Sequence, residues 1–158
     1  MKVDFLNKLF NLKGKNVLIT GVLGQLGKEL SRVYVATGSN VIGVDTISNY
    51  KKVDKSGNME YMFMDITDKK FVNKGFMYIY KKYGKLDILI NNAGVSVFEP
   101  FEERDEESFD RVMDVNLKGT FFCIQKYFEF LKKYDHSGNI VNIASLYGVV
   151  CPDFRIYT

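Results

Sequence analysis

One histidine and two cysteines in 158 residues leave little with which to hold a metal ion. Cys123 and Cys151 lie far apart without metal-ligand spacing, and His136 has no second imidazole to join it. No metal site is expected, and Cys123, set in a helical pattern, reads as a small core residue. No apolar run approaches the roughly 20 residues that span a membrane. The early lysines, Lys8, Lys13 and Lys15, precede no apolar segment of the signal-peptide kind, so a cytoplasmic protein is expected. Charge of one sign is not massed either. The net charge is +3, and the densest basic spots are the pairs Lys51-Lys52 and Lys132-Lys133. Solvated faces account for that pattern, and nucleic-acid binding gains no support from it. There is no internal repeat and no low-complexity linker. What is present is a hydrophobic fraction of 46%, enough for one domain with a real core.

Apolar runs of strand length recur at 17–19, 41–44, 61–64, 86–90 and 140–143, after a short apolar lead-in at 5–12. The runs mostly do not alternate with polar residues, as suits strands covered on both faces of a parallel sheet. Helical patterns separate them. Over 68–83, Val72, Phe76, Ile79 and Tyr83 recur at spacings of three and four, and Gly84 follows as a C-cap. The longest helix is expected over 106–134, with Phe109, Val112, Met113, Leu117, Thr120, Ile124, Phe128 and Leu131 on one stripe. The Phe and Met residues of these two helices are expected in the core. Strand alternating with helix predicts an α/β fold, a doubly wound parallel sheet with strand order 3-2-1-4-5.

Between the first apolar run and the helical pattern at 26–35 lies Thr20-Gly21-Val22-Leu23-Gly24-Gln25-Leu26-Gly27. A glycine-rich turn at a helix N-terminus suits a dinucleotide pyrophosphate. Gly21 can take the tight turn, Gly24 lets backbone approach phosphate oxygens, and Gly27 lets helix pack on strand, with Gln25 and Leu26 beside the same anion. An ordinary strand-to-helix turn would also read this way. Asp45 ends the second run, eighteen residues beyond Gly27, where a carboxylate accepts from an adenosine ribose. Asp45 is also a common turn-starting residue. With no arginine beside it or in the glycine loop, and a like charge facing any 2′-phosphate, NAD is favoured over NADP. Asp65, followed by Ile66, closes the third run, where it could accept from an adenine amino group. Asn91-Asn92-Ala93-Gly94 closes the fourth, where the small Ala93 and Gly94 leave room for a cofactor's ribose and the amides of Asn91 and Asn92 can tie neighbouring strands together. Asn116 lies in the long helix on the edge of its apolar stripe, and Ser145 ends the fifth run in Asn142-Ile143-Ala144-Ser145. Taken alone, Asn116 reads equally as a structural amide, and Ser145 as a strand terminator. A buried amide must be hydrogen-bonded in either case.

In this order these segments resemble the short-chain dehydrogenase/reductase family, from Gly14 to the end of the chain. The resemblance implies an NAD(P)-binding fold, hydride transfer at an alcohol or carbonyl carbon, a small-molecule substrate and a homo-oligomer. It makes Ser145 the substrate-orienting serine and Asn116 the proton-relay asparagine. Residues 145–154 look like a bacterial subgroup that modifies flagellin and surface glycans, which points to a sugar-related substrate. Two departures stand out. The ordinary branch of the family has its middle glycine where this chain has Gln25, whereas Gly24 gives the spacing of the branch that handles nucleotide sugars, with an epimerase or dehydratase as the alternative. The family's chemistry uses Tyr-x-x-x-Lys, and Tyr157, twelve residues beyond Ser145, is followed only by Thr158. The expectation is a single cofactor-binding domain, incomplete at its C-terminus and inactive alone. Its apolar surface along the fifth strand and the long helix should be left uncovered. A non-catalytic nucleotide-binding remnant is the remaining alternative.

Overall fold

The computed structural model describes residues 11–46 and 58–150. Cys151, Tyr157 and most of the apolar lead-in lie outside the described residues. Five strands form one parallel sheet: β1 (Asn16–Thr20), β2 (Asn40–Asp45), β3 (Met59–Phe63), β4 (Ile88–Asn91) and β5 (Asn139–Asn142), in the order β3-β2-β1-β4-β5. β1 is central and buried along its whole length, with Val17 opposite Val41 on one side and Ile88 on the other. Its alternate side chains feed two cores, as the period of two along a strand requires. Val17 and Ile19 join Val41, Ile88 and Ile90 on one face, and Leu18 joins Ile42, Val44 and Leu89 on the other.

Helices cover both faces. α1 (Gln25–Ala36) lays Leu30 and Tyr34 on the first core. α2 (Lys69–Tyr83) buries Val72, Phe76 and Ile79 in the second. Its ends follow local rules: the Asp68 carboxylate accepts the Lys70 N–H, and Gly84 closes it in the left-handed region at φ 76°. The expected single helix over 106–134 is two α-helices, α3 (Glu106–Met113) and α4 (Thr120–Lys133), joined by a π-helical turn, Asp114–Gly119.

The π-helical turn separates the two helices within the expected stripe. The face turned to the sheet carries Gly119, Cys123, Tyr127 and Phe130, while Phe109, Met113, Leu117 and Phe128 are exposed. Gly119 allows the approach: a Cβ there would stand 2.7 Å from the Ile66 side chain. Cys123 is fully buried, and burial pushes its thiol up to about 12. Phe76 and Phe130 are core, but Phe71 and Met77 of α2 are exposed, as are the four residues of β5.

Candidate functional site

The carboxyl ends of β1 and β4 meet where the chain order reverses, which is where open parallel sheets bind ligands. Backbone contact joins these ends. Gly21 sits at φ 65°, a conformation that favours glycine, and a Cβ on it would lie 2.7 Å from Ala93 Cα. Asn92 turns away from the cleft and donates its Nδ2–H to the carbonyls of Thr20 (2.9 Å) and Gly21 (3.0 Å). The buried Thr20 hydroxyl oxygen accepts the N–H groups of Asn92 and Ala93, each at 3.0 Å. Gly27 is buried behind the loop, where a Cβ would collide with the Gly21 carbonyl oxygen and with Val22 Cα.

The N-termini of the helices differ in a way that bears on ligand binding. α2 and α3 are capped by their own carboxylates, Asp68 on Lys70 N–H and Asp105 on Ser108 N–H. α1 opens at Gly24 with no side-chain cap and no acidic residue in its first turn. Its first N–H groups and the positive end of its dipole are therefore left without an internal anion, next to Gly24. Gly24 needs no special backbone, since φ −68° and ψ 170° suit any residue, so its glycine matters for room.

The cleft, about 320 Å³, is lined by Gly21 and Gly24 from the loop, Asp45 from β2, Asp65 and Ile66 beyond β3, and Ala93 and Gly94 beyond β4. Asp65 Oδ1 accepts from both the N–H (2.9 Å) and the hydroxyl (2.8 Å) of Thr67. Its Oδ2 accepts no hydrogen bond from the described residues and remains available to a donor in the cleft. Asp45 Oδ2 accepts the Leu23 N–H at 3.0 Å and its Oδ1 accepts the Thr46 N–H at 2.8 Å.

Seven of the sequence-predicted residues therefore share one cleft. Gln25, Leu26, Gly27, Asn92, Asn116 and Ser145 are not among its lining. Gln25 and Leu26 are exposed on the first turn of α1. Asn116 is exposed rather than at the margin of a buried stripe, yet both ends of its amide are hydrogen-bonded: Oδ1 accepts the Val95 N–H at 2.8 Å and Nδ2 donates to the Val95 carbonyl at 2.9 Å. The side chain thus ties the segment after β4 to the π-helical turn. A π-helical turn within a helix often marks a functional position. Ser145 is exposed, and its hydroxyl oxygen accepts the Tyr147 N–H at 3.1 Å, capping a short turn at Leu146–Gly148. Reading the sequence missed Leu23, Thr46, Thr67, Val95 and Val115, which also line the cleft. Only Thr67 carried a signal, a hydroxyl two residues after a strand-ending Asp.

The marked shifts in proton affinity lie elsewhere. Asp87, at the opposite end of the sheet, loses solvation. Its bonds with Asn16 N–H, Lys15 and Lys85 outweigh that loss and hold its carboxyl below the usual range. Burial pushes the hydroxyls of Tyr80, to about 12, and of Tyr127 upward.

Comparison with known proteins agrees with this geometry. The family model for short chain dehydrogenases matches residues 15–158. A 2-dehydro-3-deoxy-D-gluconate 5-dehydrogenase from Dickeya dadantii is 33% identical over 87% of this chain and 56% of its own length. An NAD-dependent glycerol dehydrogenase from Listeria innocua is 33% identical over 95% of this chain and 60% of its own. A short chain dehydrogenase from Leptospira borgpetersenii, solved with bound NAD+, superposes with a TM-score of 0.86 at 42% identity, covering 91% of this chain and 56% of that one. The protein ElxO, solved with NADP bound, superposes with a TM-score of 0.83 at 31% identity, over 90% and 60% respectively. The chain spans little more than half the length of the curated relatives it matches.

Proposed function

The chain belongs to the short-chain dehydrogenase family, and on that premise we propose that it binds NAD and serves hydride transfer at the carbinol or carbonyl carbon of a small, hydroxyl-rich substrate. The observation that carries the binding step is the uncapped N-terminus of α1 beneath a loop in which side chains at 21 and 24 are missing. A Cβ at Gly21 would meet Ala93 backbone, and one at Gly24 would stand 3.3 Å from the Gly21 carbonyl oxygen. These features fit a pyrophosphate. In this reading Asp45 accepts from the hydroxyls of an adenosine ribose, and the free Oδ2 of Asp65 from an adenine amino group. Ala93 and Gly94 supply small residues beside the nicotinamide-side ribose. Such a cofactor would supply the hydride acceptor or donor, and these residues would bind and orient it.

The preference for NAD over NADP rests on Asp45, since a 2′-phosphate would place two further negative charges near its carboxylate. Structures similar to this chain hold NAD+ or NADP, so the fold alone does not choose, and Asp45 is the residue on which the proposed choice rests. In the same reading Asn116 acts by holding the Val95 segment against the π-helical turn. Ser145 orients substrate once its hydroxyl leaves the Tyr147 N–H. The substrate class follows the glycerol and sugar-acid dehydrogenases named above. The likeness of residues 145–154 to a glycan-modifying subgroup gives that choice no further support. The homo-oligomer finds support in the exposed apolar residues Phe109, Met113, Leu117, Phe121 and Phe128 along α3, the π-helical turn and α4. A cytoplasmic location is part of the same proposal; no described helix is long and apolar enough to cross a membrane.

The test is turnover by the longest reading frame that contains this chain. NAD-dependent oxidation of polyols and sugar acids, accompanied by an in-frame Tyr-x-x-x-Lys beyond codon 158, is the expected result. A stop codon there, with NADH bound but no substrate turned over, would overturn the oxidoreductase reading and leave a nucleotide-binding protein.

A further inference from the structure

Both oxygens of Asp45 are in use before any ligand arrives. One takes the Thr46 N–H beside it; the other reaches 22 residues back in sequence to the Leu23 N–H, in the middle of the glycine loop. The bonds around the loop are few. Val22 N–H donates to the Val44 carbonyl at 3.2 Å, and Gly24 N–H donates to the Gly21 carbonyl at 3.2 Å. From the β4 side, Asn92 holds the carbonyls of Thr20 and Gly21. The loop is thus held at its start by Asn92, and at Leu23, next to Gly24, by the Asp45 carboxylate.

We infer that Asp45 is a positioning residue for the glycine loop itself: through the Leu23 amide it sets the place at which the α1 N-terminus meets a phosphate, in addition to facing the ribose. The ligand arm of this inference rests on the dinucleotide reading above; the loop arm does not.

The two roles of Asp45 predict effects of opposite sign on a suitable probe. If Asp45 acted only on the ribose, removing its negative charge would leave a phosphate-bearing ligand without ribose hydroxyls equally or more tightly bound. If Asp45 holds the loop, the same change frees Leu23, and the phosphate cradle loses its geometry. The probe is 2′,3′-dideoxyadenosine diphosphate, compared with ADP. Asp45→Ser is expected to weaken the dideoxy compound about tenfold, the equivalent of one hydrogen bond to a charged group. It should weaken ADP further still. Asp45→Asn keeps one acceptor oxygen for the Leu23 N–H and is expected to hold the dideoxy compound within about twofold of wild type. In a cofactor-swap experiment, Asp45→Ser then narrows the gap between NAD and NADP by losing NAD rather than by gaining NADP.

Hydrogen exchange reads the loop without any ligand. In the wild type the Leu23 amide is expected to be protected, and in Asp45→Ser to exchange about tenfold faster, with the β1 and β4 amides unchanged. A Leu23 amide unprotected in the wild type overturns the inference even if the Ser variant fails to fold. So does dideoxy-ADP bound as well by Asp45→Ser as by wild type. Wild-type protein that binds neither nucleotide, yet protects Leu23, instead refutes the dinucleotide reading and leaves the loop role standing.

Discussion

Gly27→Ala sets two known effects against each other. In an unconstrained helix the alanine is the better residue by about 0.5–1 kcal/mol, because glycine loses more backbone freedom on folding. Gly27 is not unconstrained. A Cβ there would stand 2.8 Å from Val22 Cα and closer still to the Gly21 carbonyl oxygen, both backbone atoms of a loop tied down by Asn92 and Asp45. Forcing a methyl into such a contact costs about 1–3 kcal/mol. With backbone atoms on both sides the strain falls in the upper half of that range and wins, so the net loss is about 1–2.5 kcal/mol, or about 2–10 °C in Tm for a domain of this size. Gly84→Ala is the control. It sits at φ 76° with nothing within 4 Å of a Cβ, so it should show only the left-handed backbone penalty of about 1 kcal/mol. Urea unfolding followed by circular dichroism measures both. Gly27→Ala at or above wild-type stability would refute the claim that the loop and α1 are in backbone contact at this point.

Other consequences can be checked in the same way. Thr20→Val keeps the shape but strands the N–H groups of Asn92 and Ala93, so a loss of about 2–4 kcal/mol is expected while Thr20→Ser stays near wild type; equal stability of the two would contradict it. Asn116→Ala removes both bonds to Val95, and a loss of about 1–2 kcal/mol is expected, with faster amide exchange after β4. Asp87 has its folded-state pKa depressed, so the stability it adds is present above the unfolded-state value and is lost as pH falls through the folded one. The stability difference between wild type and Asp87→Asn should therefore hold steady at neutral pH and shrink below about pH 4. A difference that stays constant into strong acid would contradict the Lys15–Asp87–Lys85 assignment.

Much of the fold was legible because both of its periodicities are local. Unbroken apolar runs marked β1 and β2, and Asp68 and Gly84 marked both ends of α2. The residues after 106 were harder to read, since two apolar stripes overlap there. Phe109, Met113, Leu117 and Phe128 fit one helical period, yet Gly119, Cys123, Tyr127 and Phe130 meet the sheet. The π-helical turn that separates α3 from α4 has no side-chain signature of its own. At the site, carboxylates and small residues at strand ends could be named in advance because their chemistry is in the side chain. The Leu23 amide could not, because every residue but proline offers one. Nor could the pairing of Asn116 with Val95, 21 residues apart, which exists only once the helix is docked.

If the uncapped N-terminus of α1 receives the pyrophosphate of NAD, Gly24→Asp should remove that site while leaving the helix in place. An aspartate at that position would cap the helix as Asp68 and Asp105 cap theirs, holding or raising stability by a few tenths of a kcal/mol. The same carboxylate would take the N–H groups from the cofactor and repel its phosphates. Because the chain contains no tryptophan to report binding, calorimetric titration with NADH and NADPH is the method of choice. Wild type is expected to bind NADH more tightly than NADPH, and Gly24→Asp to melt no lower yet to bind neither. NADH binding undiminished in Gly24→Asp would contradict that placement of the pyrophosphate.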